Sequence, residues 1–126
     1  MKTLFFLVIA LSLSFSLSAQ STDSLHLTNT KWSGIVHAPD DMDAVFYFTK
    51  DTLTLFGSSE EIIEQMSYSL RSDTLTLKKI SGLSYCGDEA GVYKISITDN
   101  KLSFVSIADA CDMRKGAFAN PYTLIE

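Results

Sequence analysis

The chain has 126 residues, 46% of them apolar and 20% charged, with 10 Lys and Arg against 15 Asp and Glu for a formal charge of −5. One hydrophobic core suits this length, and the acidic balance argues against a nucleic-acid partner, which needs a basic patch to displace phosphate counterions. The same charge disfavours docking on an anionic lipid surface and otherwise serves solubility.

Residues 1–19, "MKTLFFLVIALSLSFSLSA", place Lys2 ahead of an apolar and Ser-rich run and end it at the small Ala19. That is the layout of a secretory signal peptide, and the strongly apolar part from Leu4 to Leu13 is too short to span a bilayer. The chain is thereby divided into a signal peptide at 1–19, a flexible N-terminal segment at 20–28 and a folded domain at 29–126. The mature chain is expected in the periplasm or outside the cell, as a monomer, with no membrane insertion once the signal is removed.

Strand signals follow in order: KWSGIVH at 31–37, AVFYFT at 44–49, TLTLF at 52–56, EQMSYSLR at 64–71, TLTLKK at 74–79, GVYKISI at 91–97, KLSFVSI at 101–107 and PYTLIE at 121–126. Each alternates apolar with polar residues and is rich in β-branched or aromatic types. Ser58 and Ser59 before Glu60 and Glu61 suit a short helical turn, and "DACDMRKG" suits another, with Asp109 as its cap and Arg114 and Lys115 near its end. The pentapeptide DTLTL occurs twice, at 51–55 and 73–77, each time with its Asp in a turn, its Leu pair on the apolar side and its Thr pair on the solvent side.

The connections alternate in length. Lys50–Asp51, Ser72–Asp73 and Thr98–Asn100 are tight, whereas "APDDMDA", "GSSEEII", "ISGLSYCGDEA" and "ADACDMRKGAFAN" are long. In an up-and-down meander every tight turn then falls at one end and every long loop at the other. The two cysteines, Cys86 and Cys111, lie in two different long loops, and in an oxidising compartment they pair as one disulfide. Neither has CxxC spacing or a histidine partner, so no metal site or thiol nucleophile is expected.

The apolar face of the runs collects Phe46, Phe48, Leu53, Leu55, Met66, Tyr68, Leu70, Leu75, Leu77, Tyr93, Ile95, Ile97, Leu102 and Phe104. Eight antiparallel strands with one apolar face each, and no helices to cover it, close into an all-β, up-and-down, eight-stranded barrel that leaves no free edge. The opening "KWSG", the alternation of tight and long connections and "GVYKISITDNKLSFVSIADACDMR" together resemble the small lipocalin-like (calycin-type) domains of secreted bacterial proteins. The resemblance runs from Asn29 to Leu124 and implies a barrel that holds a small ligand.

Several candidate sites follow. Phe46, Leu55, Met66, Leu77, Tyr93 and Phe104 point inward toward the loop end and are the expected lining of a shallow apolar cup, with the Tyr93 hydroxyl as its polar handle. So many large side chains on short strands also favour a largely filled interior. At the loop surface Leu83, Tyr85 and Arg114 are candidate contacts for a secreted protein partner, Arg114 being placed there by loop parity, far from Trp32. Asp40, Asp41 and Asp43 read as a solvated acidic loop, and His26 and His37 as surface or strand-end residues. Paired carboxylates, a GxSxG elbow and a phosphate-binding glycine loop are absent, so the expectation is a non-enzymatic binding protein without metal or cofactor.

Overall fold

Alternating Leu, Phe and Tyr with Ser, Thr and Lys leaves each run one favourable way to bury its apolar side. Eight antiparallel strands result in the computed structural model, which describes residues 25–37 and 40–126; the expected signal peptide lies outside the described residues. They are β1 (Thr30–His37), β2 (Asp41–Phe48), β3 (Thr52–Phe56), β4 (Ile62–Arg71), β5 (Thr74–Gly82), β6 (Gly91–Thr98), β7 (Lys101–Ala108) and β8 (Tyr122–Leu124). Each pairs with its sequence neighbour, and β8 returns to β1 through Trp32↔Leu124 and Ser33↔Thr123, so the barrel is closed and up-and-down.

One end is built from tight turns. Asp99 and Asn100 both adopt positive φ, 52° and 61°, which is what a two-residue turn needs to match the twist of β6 and β7. Ser72, at φ 57°, serves the turn between β4 and β5. Both DTLTL copies flank such turns and bury their leucines: Leu53, Leu55, Leu75 and Leu77 all belong to the core. Thr54, expected in solvent, is buried instead; it shares the outer face with the longer cross-strand residues Tyr47 and Gln65. Leu27, assigned to the flexible segment by sequence, is also part of the core, and its carbonyl oxygen accepts from the Thr30 amide at 3.1 Å.

The other end carries the segments 57–61, 83–90 and 109–121, and within the last of these the helix α1 (Asp112–Ala117) folds back over the barrel mouth. The first connection is shorter than expected. β1 and β2 pair out to His37↔Asp41, so Asp41 and Asp43 are exposed strand residues rather than parts of an acidic loop. His37 is a strand-end residue whose ring nitrogens meet Asp41 Oδ1 and Asn120 Nδ2. Residues 58–61 form a turn held by Glu61, which accepts the Ser59 amide at 2.9 Å, and not the helical turn expected there. Cys86 and Cys111 are joined as predicted, with their Cα atoms 5.5 Å apart.

Part of the interior is filled by aromatic rings. Phe118, just after α1, reaches down into the barrel to within 4.5 Å of the Phe104 centroid, 5.0 Å of Tyr93 and 5.2 Å of Phe46. Tyr122 of β8 stacks on Phe46 at 4.1 Å and donates its hydroxyl to the Ala117 carbonyl at 2.6 Å, tying the helix to the last strand. Gly34 makes this stack possible, because a Cβ there would lie 2.6 Å from the Tyr122 ring. Ring pairs of this kind add about 0.5–1.5 kcal/mol each beyond the area they bury.

Candidate functional site

Apart from the aromatic cluster, the loop end holds a cavity of about 310 Å³ between α1 and strands β3, β4 and β5, with Leu55, Ile63 and Met66 as its floor and Val36, Met113 and Ala117 closing the side under the helix. Leu83, Met42 and Cys86 form the rim. Three methionines, Met42, Met66 and Met113, therefore face the space, and their unbranched, polarisable side chains adapt to occupants of varied shape.

Polar groups enter this lining at few points, and the first pair, Glu64 and Lys79, is fixed by the strand register. Glu64 stands two residues from Met66 on the same inward face, and Lys79 two residues from Leu77. Opposite them, Gln65 pairs with Ser81 and Met66 with Lys79, so Ile80 is the extra residue of a bulge and Gly82 comes to face Glu64. Gly82 adopts φ 138°, and a Cβ there would sit 2.4 Å from Glu64 Oε2, so glycine is what lets the chain turn over the carboxylate. Glu64 then accepts from the Ser84 amide at 3.0 Å and the Ser84 hydroxyl at 2.8 Å, with Lys79 Nζ at 3.6 Å. Lys79 also donates to the Ser84 carbonyl oxygen. These bonds hold the 83–84 segment as a wall of the cavity.

The second polar group is Arg114, which is buried and not part of the loop surface as sequence parity suggested, because α1 lays it against the barrel wall. Its Nε donates to Asp109 Oδ2 and its Nη2 to Asp109 Oδ1, both at 2.7 Å, and Nη2 also reaches the Glu89 carbonyl oxygen at 3.0 Å. Asp109 is not the cap of α1. Its Oδ1 accepts the Cys111 amide at 2.9 Å, and its Oδ2 accepts the Tyr93 hydroxyl. Burial alone would raise the Asp109 carboxyl, but the hydrogen bonds from Arg114, Tyr93 and the Cys111 amide outweigh it and hold the group below its usual value. Burial first, then the bond to Asp109, pushes the Tyr93 hydroxyl up, and the Asp109 hydrogen bond raises the Arg114 guanidinium.

Of the inward residues singled out in the sequence, Leu55 and Met66 line the cavity. Phe46, Tyr93 and Phe104 stand in the aromatic cluster, and Leu77 is fully buried in the core. The Tyr93 hydroxyl, foreseen as a handle for ligand, is committed to Asp109. Leu83 and Tyr85 are 81% and 75% exposed, Leu83 at the cavity rim. Glu64 and Lys79 went unnoticed although their parity was a signal: a carboxylate and an ammonium at positions that alternation assigns to the interior. Met113 and Ala117 follow only from α1, whose i, i+4 spacing puts both on one side.

A smaller, mostly polar hollow of about 220 Å³ lies at the closed end between Leu25–Thr28 and Tyr68–Leu70. Comparisons with protein-family models, with curated proteins and with solved structures give no match for the chain.

Proposed function

We propose that this is an exported, non-catalytic, lipocalin-like barrel that binds one small apolar or amphipathic molecule in the cavity beside α1. The observation that carries the reading is the cavity itself: about 310 Å³, open at the loop end, with apolar walls and polar groups at only a few fixed places. This is the size and make-up of small-molecule sites in general. The disulfide supports an oxidising compartment, and among the described residues no helix is long and apolar enough to cross a membrane. Titration of the purified chain with the apolar fluorophore phenylnaphthylamine should give saturable binding that lipid extracts displace. A linear, non-saturating signal counts against the reading.

A second reading has its own support. Leu83, Tyr85, Ile62 and Ile80 are all more than half exposed at or near the mouth, and an apolar rim of this kind suits contact with a secreted protein such as a hydrolase. Replacing the 81–89 loop should then abolish capture of that partner while far-UV circular dichroism stays unchanged.

A further inference from the structure

The cavity beside α1 gives a ligand's hydrocarbon its place, over Leu55, Met66 and Met113. The charges around the mouth decide which head group that hydrocarbon carries. The two cations that border the cavity are each matched by a carboxylate, Arg114 by Asp109 at 2.7 Å and Lys79 by Glu64 at 3.6 Å, and Lys115 of α1 pairs with Asp112 at 2.9 Å. Beyond these pairs stand Asp40 and Asp43 at the start of β2, Glu60 and Glu61 in the 57–61 turn, and Asp88 and Glu89 in the 83–90 loop. All six are exposed, and none has an ion-pair partner among the described residues.

The tight-turn end is balanced by comparison: Lys50, Arg71, Lys94 and Lys101 stand there against Asp51, Asp73 and Asp99. The acidity of the chain is therefore gathered at the loop end, where an apolar cleft focuses the field of like charges and draws in ions of the opposite sign. Of the six unmatched carboxylates Glu61 lines the cavity; its Oε2 accepts the Ser59 amide at 2.9 Å while the group stays in solvent. An anionic head group would meet this field and find no unmatched cation in the lining. A cation with a hydrocarbon body suits both parts of the site: the body displaces water from apolar walls, and the charge stays hydrated at the mouth beside Glu61.

We propose that the ligand is a cationic amphiphile, an amine protonated at neutral pH, whose hydrocarbon lies in the cavity over Leu55, Met66 and Met113 and whose ammonium sits at the mouth beside the Glu61 carboxylate. This deepens the ligand-binding reading above and rests on it.

The test uses the purified chain at neutral pH and low ionic strength with three eight-carbon probes, octylamine, octanol and octanoate, each displacing phenylnaphthylamine. Without an attraction at the mouth octanol binds most tightly, because it has no charge to keep hydrated. With it, octylamine displaces the fluorophore at about three- to tenfold lower concentration than octanol, and octanoate needs a higher concentration than either. In about 1 M sodium chloride, where screening acts beyond ~3 Å, the amine and octanol converge. Glu61→Gln keeps an oxygen for the Ser59 amide and changes an exposed side chain, so the fold stands; it should cut the amine's lead over octanol about threefold and leave octanol itself unmoved. Octanol or octanoate displacing as well as the amine, or an amine preference that 1 M salt leaves intact, overturns the charge assignment while saturable fluorophore binding preserves the cavity reading. An amine preference that Glu61→Gln leaves unchanged overturns the placement beside Glu61. No saturable fluorophore binding overturns the cavity reading and the charge assignment together.

Discussion

Asp109 receives four hydrogen bonds from three residues, two from Arg114 and one each from Tyr93 and the Cys111 amide, and its side chain is 0% exposed. Its carboxyl is held below the ordinary value, so its stabilising contribution is fully present above the unfolded value of about 3.9 and is lost as pH falls through the lower folded value. Urea midpoints should therefore drop as pH falls below about 4, and Asp109→Asn should flatten that acid limb. Removing the group in Asp109→Ala should destabilise the fold by about 3–5 kcal/mol, because Arg114 is then buried without a counter-charge. In sequence, Asp109 looked like a helix cap and Arg114 like a surface residue. Five positions apart in a loop, they disclose nothing of their burial, which arises only when α1 folds back over the mouth. Glu64 and Lys79 were more legible: parity puts charge on an apolar face, and such a position asks for a partner.

At the scale of elements, strand alternation was readable throughout, since every run from KWSGIVH onward has one apolar side and becomes a strand with that side inward. Strand ends were less so. β2 starts at Asp41 rather than Ala44 because pairing with β1 extends past the apolar core into exposed residues, which hydropathy alone does not mark. The inward positions at Gly34 and Tyr122 depend on each other across β1 and β8. Gly34→Ala should push the Tyr122 ring off Phe46 and destabilise the barrel by about 1–3 kcal/mol, measured by thermal unfolding. The disulfide, with 25 residues of sequence separation, ties the 83–90 loop to the start of α1. Reduction should lower stability by up to about 3.5 kcal/mol through loop entropy, and should loosen the cavity rim, where Cys86 sits, before the tight-turn end. Hydrogen exchange of the amides at 83–90 against those of β6 and β7 checks the order of loosening.

Across the whole molecule, the barrel interior holds an aromatic cluster centred on Phe118 and, apart from it, a cavity open at the loop end. The sequence pointed both to a filled interior and to a cup at the loop end; one end of one barrel holds both, because α1 covers only part of the mouth. Phe118→Ala should destabilise by about 3–5 kcal/mol by leaving a void among Phe46, Tyr93 and Phe104, measured by thermal unfolding. Conversely, a bulkier side chain at Met66, which lines the cavity and is 3% exposed, should fill the space a ligand would occupy. Equilibrium titration with phenylnaphthylamine should show saturable binding to the unaltered chain and none to Met66→Trp, with matching far-UV circular dichroism for the two. Saturable binding that Met66→Trp leaves intact would place the fluorophore outside this cavity.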